Sequence, residues 1–375
     1  MMEDWIDRAG ALARMGVRQQ TLYAYVSRGR IGVRADPTDP RRSLYNVNDI
    51  ENLRARRSRG RGRAAVANST MAWGEPSLET AISTVHQGRL VYRGQDAALL
   101  AQSATWEDVA ELLWQSGRPI VLAALEGTAS DPFAALAALV SDGYPSPGRQ
   151  VDKLIADGEA AISRLAVALS AAPIRAPLHE RLMRGWSLPA AAAEPLRRAL
   201  VLLADHELNA STFAVRVAAS TGAPIAACMM AGLSALIGPR HGGAGAAAIA
   251  LLDDARTRGS ELAIRQTLSA QRYVPGFGHK LYPTGDPRAM ALFNALPPDP
   301  FVDELCEKVT EVCGLRPNID FALAVLTRWS GMPDDAPFRL FALARTCGWM
   351  AHAMEQISEG TLIRPRAHYT GELPE

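Results

Sequence analysis

Residues 276–289 read Gly-Phe-Gly-His-Lys-Leu-Tyr-Pro-Thr-Gly-Asp-Pro-Arg-Ala, and they interrupt a chain otherwise patterned as helix. From about residue 71 onward apolar residues recur at helical spacing: Leu196, Leu200 and Leu203 share one face, and comparable Leu/Ala sets fill 133–170 and 340–357. Few stretches alternate with period two, and only residues 83–92 suggest a hairpin. The expected class is therefore all-α, without an internal repeat. Gly/Pro clusters at 238–245, 275–288 and 314–318 break the helices.

Chemistry-bearing side chains gather in or beside those breaks. His241 lies in Gly-Pro-Arg-His-Gly-Gly-Ala and His279 in Gly-Phe-Gly-His-Lys-Leu-Tyr. Glycine beside a histidine lets backbone amides approach a ligand that a Cβ would exclude. A following helix adds N–H donors for an anion. Asp320 follows Pro317-Asn318 and is flanked by Ile319 and Phe321. Partial desolvation there raises a carboxyl pKa and makes a better base; a helix N-cap is the competing reading. Arg288 follows Thr-Gly-Asp-Pro, Arg345 interrupts an apolar face, and Arg364 and Arg366 lie near the end of the sequence. Guanidinium forks match carboxylates, so several Arg beside several His point to a di- or trianionic substrate, with surface ion pairing the alternative for each Arg alone.

The 375 residues are 48% hydrophobic and 21% charged, enough for a two- or three-domain globular protein, which excludes dominant disorder and a small disulfide scaffold. The four Cys, at 228, 306, 313 and 347, form no CxxC and have no His at zinc spacing. Reduced thiols in a cytoplasmic protein, with no metal site, are expected. The first ten residues have no apolar core of a signal peptide. Residues 217–239 carry no charge, but their Gly, Pro and Ala content reads as a helix buried on all sides rather than a membrane span.

Charge is uneven. Residues 1–63 hold 14 Arg against 7 acidic residues, a local surplus of 7 positive charges in a chain of formal net charge +1; the remainder carries a surplus of 6 negative. Within this region residues 5–15 and 18–28 read as helices, the second with Leu22 and Val26 inward. Residues 31–33 and 43–47 read as short strands, and Asn48 with Glu51 as the start of a third helix. The run 54–63, with six Arg, reads as a flexible linker. The order of elements, carried by GVRQQTLYAYVSRGRI and RRSLYNVNDIENL, resembles the winged helix-turn-helix of the MerR and excisionase families. That resemblance implies Gln19, Gln20 and Tyr23 facing a DNA major groove, with Arg41 and Arg42 on the wing near phosphates. A docking module is the alternative.

From about residue 79 to 371 the chain resembles the citrate synthase family, including 2-methylcitrate synthases. The motifs are ETAIS (79–83), YRG (92–94), ADHELNAS (204–211), GPRHGGA (238–244), GFGHKLYPTGDPRA (276–289), PNIDF (317–321), GWMAHAMEQ (348–356) and RPRAHYTG (364–371). The resemblance implies large and small helical domains closing over the substrates. The expected division is 1–57 for the winged module, 58–70 linker, 71–240 and 327–375 large domain, and 241–326 small domain.

The resemblance also implies roles. Asp320 would take a proton from the acetyl-CoA methyl group. His241 would hydrogen-bond the resulting enol oxygen, and His279 would polarise and protonate the oxaloacetate carbonyl. His206, Arg288 and Arg345 would hold oxaloacetate carboxylates, joined by Arg364 from the second subunit of a homodimer. No cofactor is implied beyond the CoA thioester substrate, acetyl-CoA or propionyl-CoA, and no membrane. Departures from the family pattern fall at Gly245-Ala246, Arg316 and Ala322-Leu323, and in a short, Ala-rich stretch over 117–195. They bear on acyl preference and CoA contacts and leave the three catalytic candidates and the Arg set in place. A rival expectation is a DNA-binding regulator, through residues 1–63, whose synthase-like body senses a metabolite.

Overall fold

The structure, a computed structural model, describes residues 5–15, 22, 26, 31–36, 39, 42–51, 78–127, 130–239, 241–271, 273–365 and 369–371. Contacts divide the chain into one unit of Met1–Glu79 with Arg366–Glu375 and another of Thr80–Pro365.

In the first unit, strands β1 (Trp5–Ile6), β2 (Val33–Ala35) and β3 (Ser43–Asn46) form an antiparallel sheet in the order β1-β3-β2, accompanied by helix α1 (Arg8–Met15). A small core of Ala11, Met15, Leu22, Ile31, Tyr45 and Ile50 sits beneath it, with Val26 packed alongside. Three expectations shift. Trp5 and Ile6 are strand rather than helix, because they pair with Asn46 and Tyr45. The second strand begins at Val33, not Ile31, which is buried in the core. The helical residues 47–51 are capped by Asn46, whose Oδ1 accepts the Asp49 N–H at 3.2 Å, so the cap lies two residues before Asn48. Most of 18–28, Gln19, Gln20, Tyr23, Arg41 and the 54–63 run lie outside the described residues. Arg42 is described, exposed and paired with Asp39 at 3.4 Å.

The second unit opens with the hairpin expected at 83–92. Strands β4 (Ser83–His86) and β5 (Arg89–Tyr92) pair antiparallel, and β6 (Gln95–Asp96) adds a short edge. Helices then follow almost without break: α2 (Ala97–Leu100), α3 (Trp106–Trp114), α4 (Pro132–Ser141), α5 (Val151–Ala168), α6 (Leu178–Gly185), α7 (Ala193–Leu203), α8 (Ala210–Ser220) and α9 (Ile225–Leu236). They continue as α10 (Ala244–Arg258), α11 (Ser260–Gln271), α12 (Pro287–Phe293), α13 (Pro300–Cys313), α14 (Ile319–Ser330) and α15 (Ala336–Glu359). The unit is mostly helical, with strand confined to the hairpin region among the described residues.

Local sequence explains where helices start. Thr105 and Asp108 form a capping box at α3: the Asp108 N–H donates to Thr105 Oγ1 at 3.2 Å and the Thr105 N–H to Asp108 Oδ2 at 2.8 Å. Trp106, Val109, Ala110, Leu113 and Trp114 then form one buried face. Both indoles donate to α15, Trp106 to Ala344 O at 3.0 Å and Trp114 to Cys347 O at 2.9 Å. Such buried bonds contribute about 1 kcal/mol each.

Helix α15 is the hub, packing against α3, α5, α7, α8, α9 and α14. Residues 342–353 are buried on every side, which requires the small Ala and Gly spaced through them. The uncharged stretch 217–239 is not a single helix. Thr221 and Gly222, with Pro224, end α8 and start α9, so it spans two antiparallel helices. Among the described residues no helix is long and apolar enough to cross a membrane.

Two large apolar clusters and a small one of Ala248, Ile249 and Ala324 serve the unit among the described residues. The larger joins the hairpin to α3–α9, α12, α14 and α15. A second, drawn from residues 251–325, includes Leu252, Val274, Phe277, Leu305, Val309 and Phe321. Helix α14 contributes to both, Leu323 and Leu326 to the first and Phe321 and Val325 to the second.

Asn318 caps α14 by accepting the Asp320 N–H at 3.0 Å. Asn318→Ala is expected to lower unfolding free energy by about 1 kcal/mol, visible as a lower midpoint in chemical denaturation.

Candidate functional site

The breaks at 275–285 and 314–318 are stitched to one another. The Asn318 N–H donates to Gly276 O at 2.9 Å, the Gly278 N–H to Arg316 O at 2.8 Å, and Asn318 Nδ2 to Gly278 O at 3.0 Å. Gly276 has φ +79°, and a Cβ there would sit 2.8 Å from Phe321 Cβ, so both backbone conformation and space demand glycine. The loop that carries His279 is thereby held against the helix that carries Asp320. Because Asn318 performs the capping, the competing cap reading of Asp320 falls away: Asp320 is the second residue of α14 and its carboxylate caps nothing.

Asp286 locks the next piece. Its Oδ1 accepts the Arg288 backbone N–H at 3.0 Å and Arg288 Nε at 2.9 Å; its Oδ2 accepts Arg288 Nη2 at 2.7 Å and the Ile319 N–H at 3.1 Å. One buried carboxylate thus caps α12, grips Arg288 in a two-pronged pair and reaches the residue before Asp320. Burial pushes Asp286 upward, but the charge and hydrogen bonds of Arg288 win and hold it below the usual carboxylate range. Arg288 is buried too, and Asp286 outweighs that burial and raises its pKa.

Three rings form a cluster. His206 and His279 stand edge to face with centroids 5.2 Å apart, and Tyr282 lies 5.6 Å from His206 and 4.9 Å from His279. His206 Nε2 lies 3.0 Å from the Tyr282 hydroxyl. The Leu281 N–H donates to His279 Nδ1 at 3.1 Å, which leaves the proton of the neutral ring on Nε2. The Arg288 guanidinium lies over Tyr282 at 5.3 Å.

His241 approaches from the third break. Its Nε2 is 2.9 Å from Ser211 Oγ, which is also 2.7 Å from Asn209 Oδ1 and receives the Trp349 indole N–H at 3.2 Å. Phe341 stands 5.8 Å from the His241 ring and carries the Arg345 guanidinium over its face at 4.5 Å. Arg345 donates Nε to Leu203 O at 2.9 Å, while its buried Nη2 has no partner among the described residues. A buried, unfilled guanidinium donor is costly unless a ligand takes it.

Electrostatics ties these groups into one site. Burial, with help from the Arg345 charge, lowers His241 to about 4. Burial and Arg288 lower His279 to about 4, with Asp286 opposing. Burial, Arg288, Arg345 and His279 hold His206 well below its ordinary value. Burial raises Asp320 to about 6, with Asp286 adding and Arg288 and Arg345 opposing. The rings are therefore neutral at pH 7, while Asp320 is mostly ionised.

The structure thus gathers His206, His241, His279, Arg288, Asp320 and Arg345. It does not bring in Arg364, which is exposed in the irregular residues 361–365 after α15. Asn209, Ser211, Tyr282, Asp286 and Phe341 belong to the assembly but were missed as site residues. The first four lie inside motifs read from the sequence; Phe341 carries no polar signal.

Comparison with known proteins gives a consistent result. A family model described as citrate synthase, C-terminal domain, matches residues 146–366. The chain is similar to citrate synthase of Haloferax volcanii, 32% identical over 345 residues covering 76% of this chain and 90% of that one. It is also similar to 2-methylcitrate synthase of Shewanella oneidensis, 31% identical over 356 residues covering 80% and 94%. Other curated relatives match more narrowly, and there the chain spans about half of their length, 51% in one case. Among solved structures, citrate synthase from Thermotoga maritima superposes with a TM-score of 0.67 at 26% identity, over 80% of this chain and 95% of that one.

The depressed imidazoles have a measurable consequence. Below pH 6.5 an unfolded chain protonates His206, His241 and His279 while the folded one resists, down to about 4 for His241 and His279, so stability falls as pH falls. Asp320, raised to about 6, works in the opposite sense as one group against three. Nitrogen-15 spectra of labelled histidine at pH 5.5 should show these three rings neutral; protonated signals for all three at that pH would contradict the burial argument.

Proposed function

The chain belongs to the citrate synthase family, and on that premise we propose that it condenses acetyl-CoA with oxaloacetate to give citrate and CoA. The observation that carries this reading is the meeting of neutral imidazoles, one raised carboxylate and two buried guanidinium groups. A thioester α-proton is a very weak acid, so a base alone is inadequate; a donor must meet the oxygen on which charge develops.

In the proposed chemistry Asp320 takes a proton from the acetyl methyl group. A carboxyl raised to about 6 is a stronger base than an ordinary aspartate and is still ionised at neutral pH. His241 donates from Nδ1 to the thioester oxygen, which requires the Ser211 hydroxyl, a donor to Asn209 Oδ1 at 2.7 Å, to turn and donate instead to His241 Nε2 at 2.9 Å. The enol carbon attacks the keto carbon of oxaloacetate. His279, protonated at Nε2, donates to the keto oxygen as it becomes the hydroxyl of citryl-CoA. Water then cleaves the thioester. His206, Arg345 and the outer nitrogen of Arg288 bind oxaloacetate, and the unfilled Arg345 Nη2 supports that assignment.

The division into a large domain of 71–240 with 327–375 and a small domain of 241–326 is supported by the separate apolar cluster within 251–325. Closure of one on the other would exclude water during condensation. Arg364 is assigned to the oxaloacetate site of a second subunit in a homodimer, a role its exposure leaves open to it. Four unpaired cysteines support a reducing, cytoplasmic setting. No cofactor besides the CoA substrate is required by this chemistry.

Propionyl-CoA is the alternative acyl donor, supported by the similarity to the Shewanella 2-methylcitrate synthase. One methylene is worth about 1–3 kcal/mol in a pocket. A second reading, DNA binding through residues 1–63 with a MerR- or excisionase-like winged module in 1–57, is supported by the surplus of seven positive charges in 1–63. Mobility shifts with genomic fragments across a salt series separate sequence preference from charge attraction.

Thiol release with acetyl-, propionyl- and butyryl-CoA plus oxaloacetate tests the main reading, and inactivity with all three in folded protein would defeat it. Asp320→Ala should lower kcat by roughly 10²–10⁴-fold while oxaloacetate still binds. In the native protein kcat/KM for the acyl-CoA should decline as pH falls through about 6, as Asp320 takes up a proton.

A further inference from the structure

The motif at 79–83 has no role in the chemistry above, yet its last residue reaches the site. Loop 204–209 joins α7 to α8 and carries His206. Ser83, the first residue of β4, grips that loop on both sides of the histidine. Its hydroxyl donates to Asp205 Oδ2 at 2.5 Å and accepts the Glu207 N–H at 3.0 Å. Tyr92 pairs with Ser83 across the hairpin. Its hydroxyl donates to Asp205 O at 3.0 Å and lies 3.2 Å from the Asp205 N–H.

Glu207 completes the hold. Its Oε1 accepts the Val85 N–H at 2.6 Å and the Thr84 hydroxyl at 3.2 Å, both from β4. Its backbone sits at φ +53°, left-handed space that strains a side-chain-bearing residue and persists only when surroundings over-determine it. The hairpin is itself anchored, because the Ala81 N–H donates to Glu355 Oε1 at 2.8 Å and Arg216 donates to Glu355 Oε2 at 2.8 Å. Asp205 is wedged from the far side: a Cβ on Gly348 would lie 2.1 Å from Asp205 Oδ1.

We infer that the β4–β5 hairpin is a clamp for His206, and that Ser83 and Glu207 are positioning residues for oxaloacetate binding which touch no substrate themselves. The clamp holds residues 205 and 207 so that the imidazole between them faces Tyr282 and His279 without relying on the substrate to order it. Pre-ordering of this kind acts on binding rather than on bond making. The inference rests on His206 being an oxaloacetate ligand.

The test is steady-state kinetics on the full chain with Ser83→Ala, Glu207→Ala, His206→Gln and the double variant Ser83→Ala/His206→Gln. The expected result is an oxaloacetate KM raised on the order of tenfold by Ser83→Ala, with kcat and the acyl-CoA KM changed by less than threefold. Glu207→Ala should show the same split, and it keeps the question answerable if Ser83→Ala does not fold. In the His206→Gln background Ser83→Ala should add almost nothing, since it acts through that ring. An unchanged oxaloacetate KM in both single variants, or an equal further loss in the His206→Gln background, overturns the clamp. If His206→Gln leaves the oxaloacetate KM untouched, the assignment of His206 itself fails and the clamp falls with it. A wild-type chain without condensing activity would instead strike the proposed function.

Discussion

A single carboxylate, Asp286, ties the site together. It caps α12, takes the Arg288 fork and accepts the Ile319 N–H, all while buried. The helical breaks at 275–288 and 314–318 would otherwise be free to drift, because loops carry few apolar contacts of their own. Through Asp286 the position of Arg288 becomes a function of where α14 begins, and α14 carries Asp320. Gly276 and Asn318 close the same circuit from the His279 side. Geometry that neither loop could hold alone is therefore shared between the two, and a shift in one is resisted by the other.

The same burial acts on groups of opposite charge type and separates their tasks. Removing water disfavours whichever form is charged, so it lowers imidazoles and raises carboxyls. At this site that yields neutral rings beside a carboxylate raised to about 6. Asp286 escapes because the charge of Arg288 and its hydrogen bonds outweigh desolvation, whereas Asp320 has no such pair among the described residues and stays raised. Two buried aspartates with different partners thus divide into a structural anion and a base, without any difference in residue type.

The helical body, the hairpin and the breaks at 238–245, 275–288 and 314–318 were legible because each leaves a periodic or compositional mark. His241, His279, Asp320, Arg288 and Arg345 stood out for the same reason: a polar group in a glycine-rich break, or a charge on an apolar face, is visible in one dimension. Ser211 and Asp286 were not, since a serine and an aspartate in a loop look ordinary until their partners, His241 and the Ile319 N–H, are located in space. The 217–239 stretch misled because lack of charge signals burial but not continuity, and Gly222 with Pro224 had already marked the turn. At the N-terminus Trp5 and Ile6 read as helix by spacing, and strand pairing with Tyr45 and Asn46 overrode it.

The arrangement also explains where the site stores its cost. Arg345 keeps a buried donor without a partner among the described residues, and Glu207 holds a left-handed backbone. Each is unfavourable alone, and each lies beside a group proposed to meet the dianion. A carboxylate arriving at Arg345 would satisfy a donor that has already lost its water, so the desolvation was met during folding rather than at binding. The helical core can support this because α15 places Arg345 amid buried residues 342–353, most of which belong to the larger apolar cluster. Stability of the hub and readiness of the pocket are consequently linked, since the helix that packs the larger apolar cluster also carries Arg345.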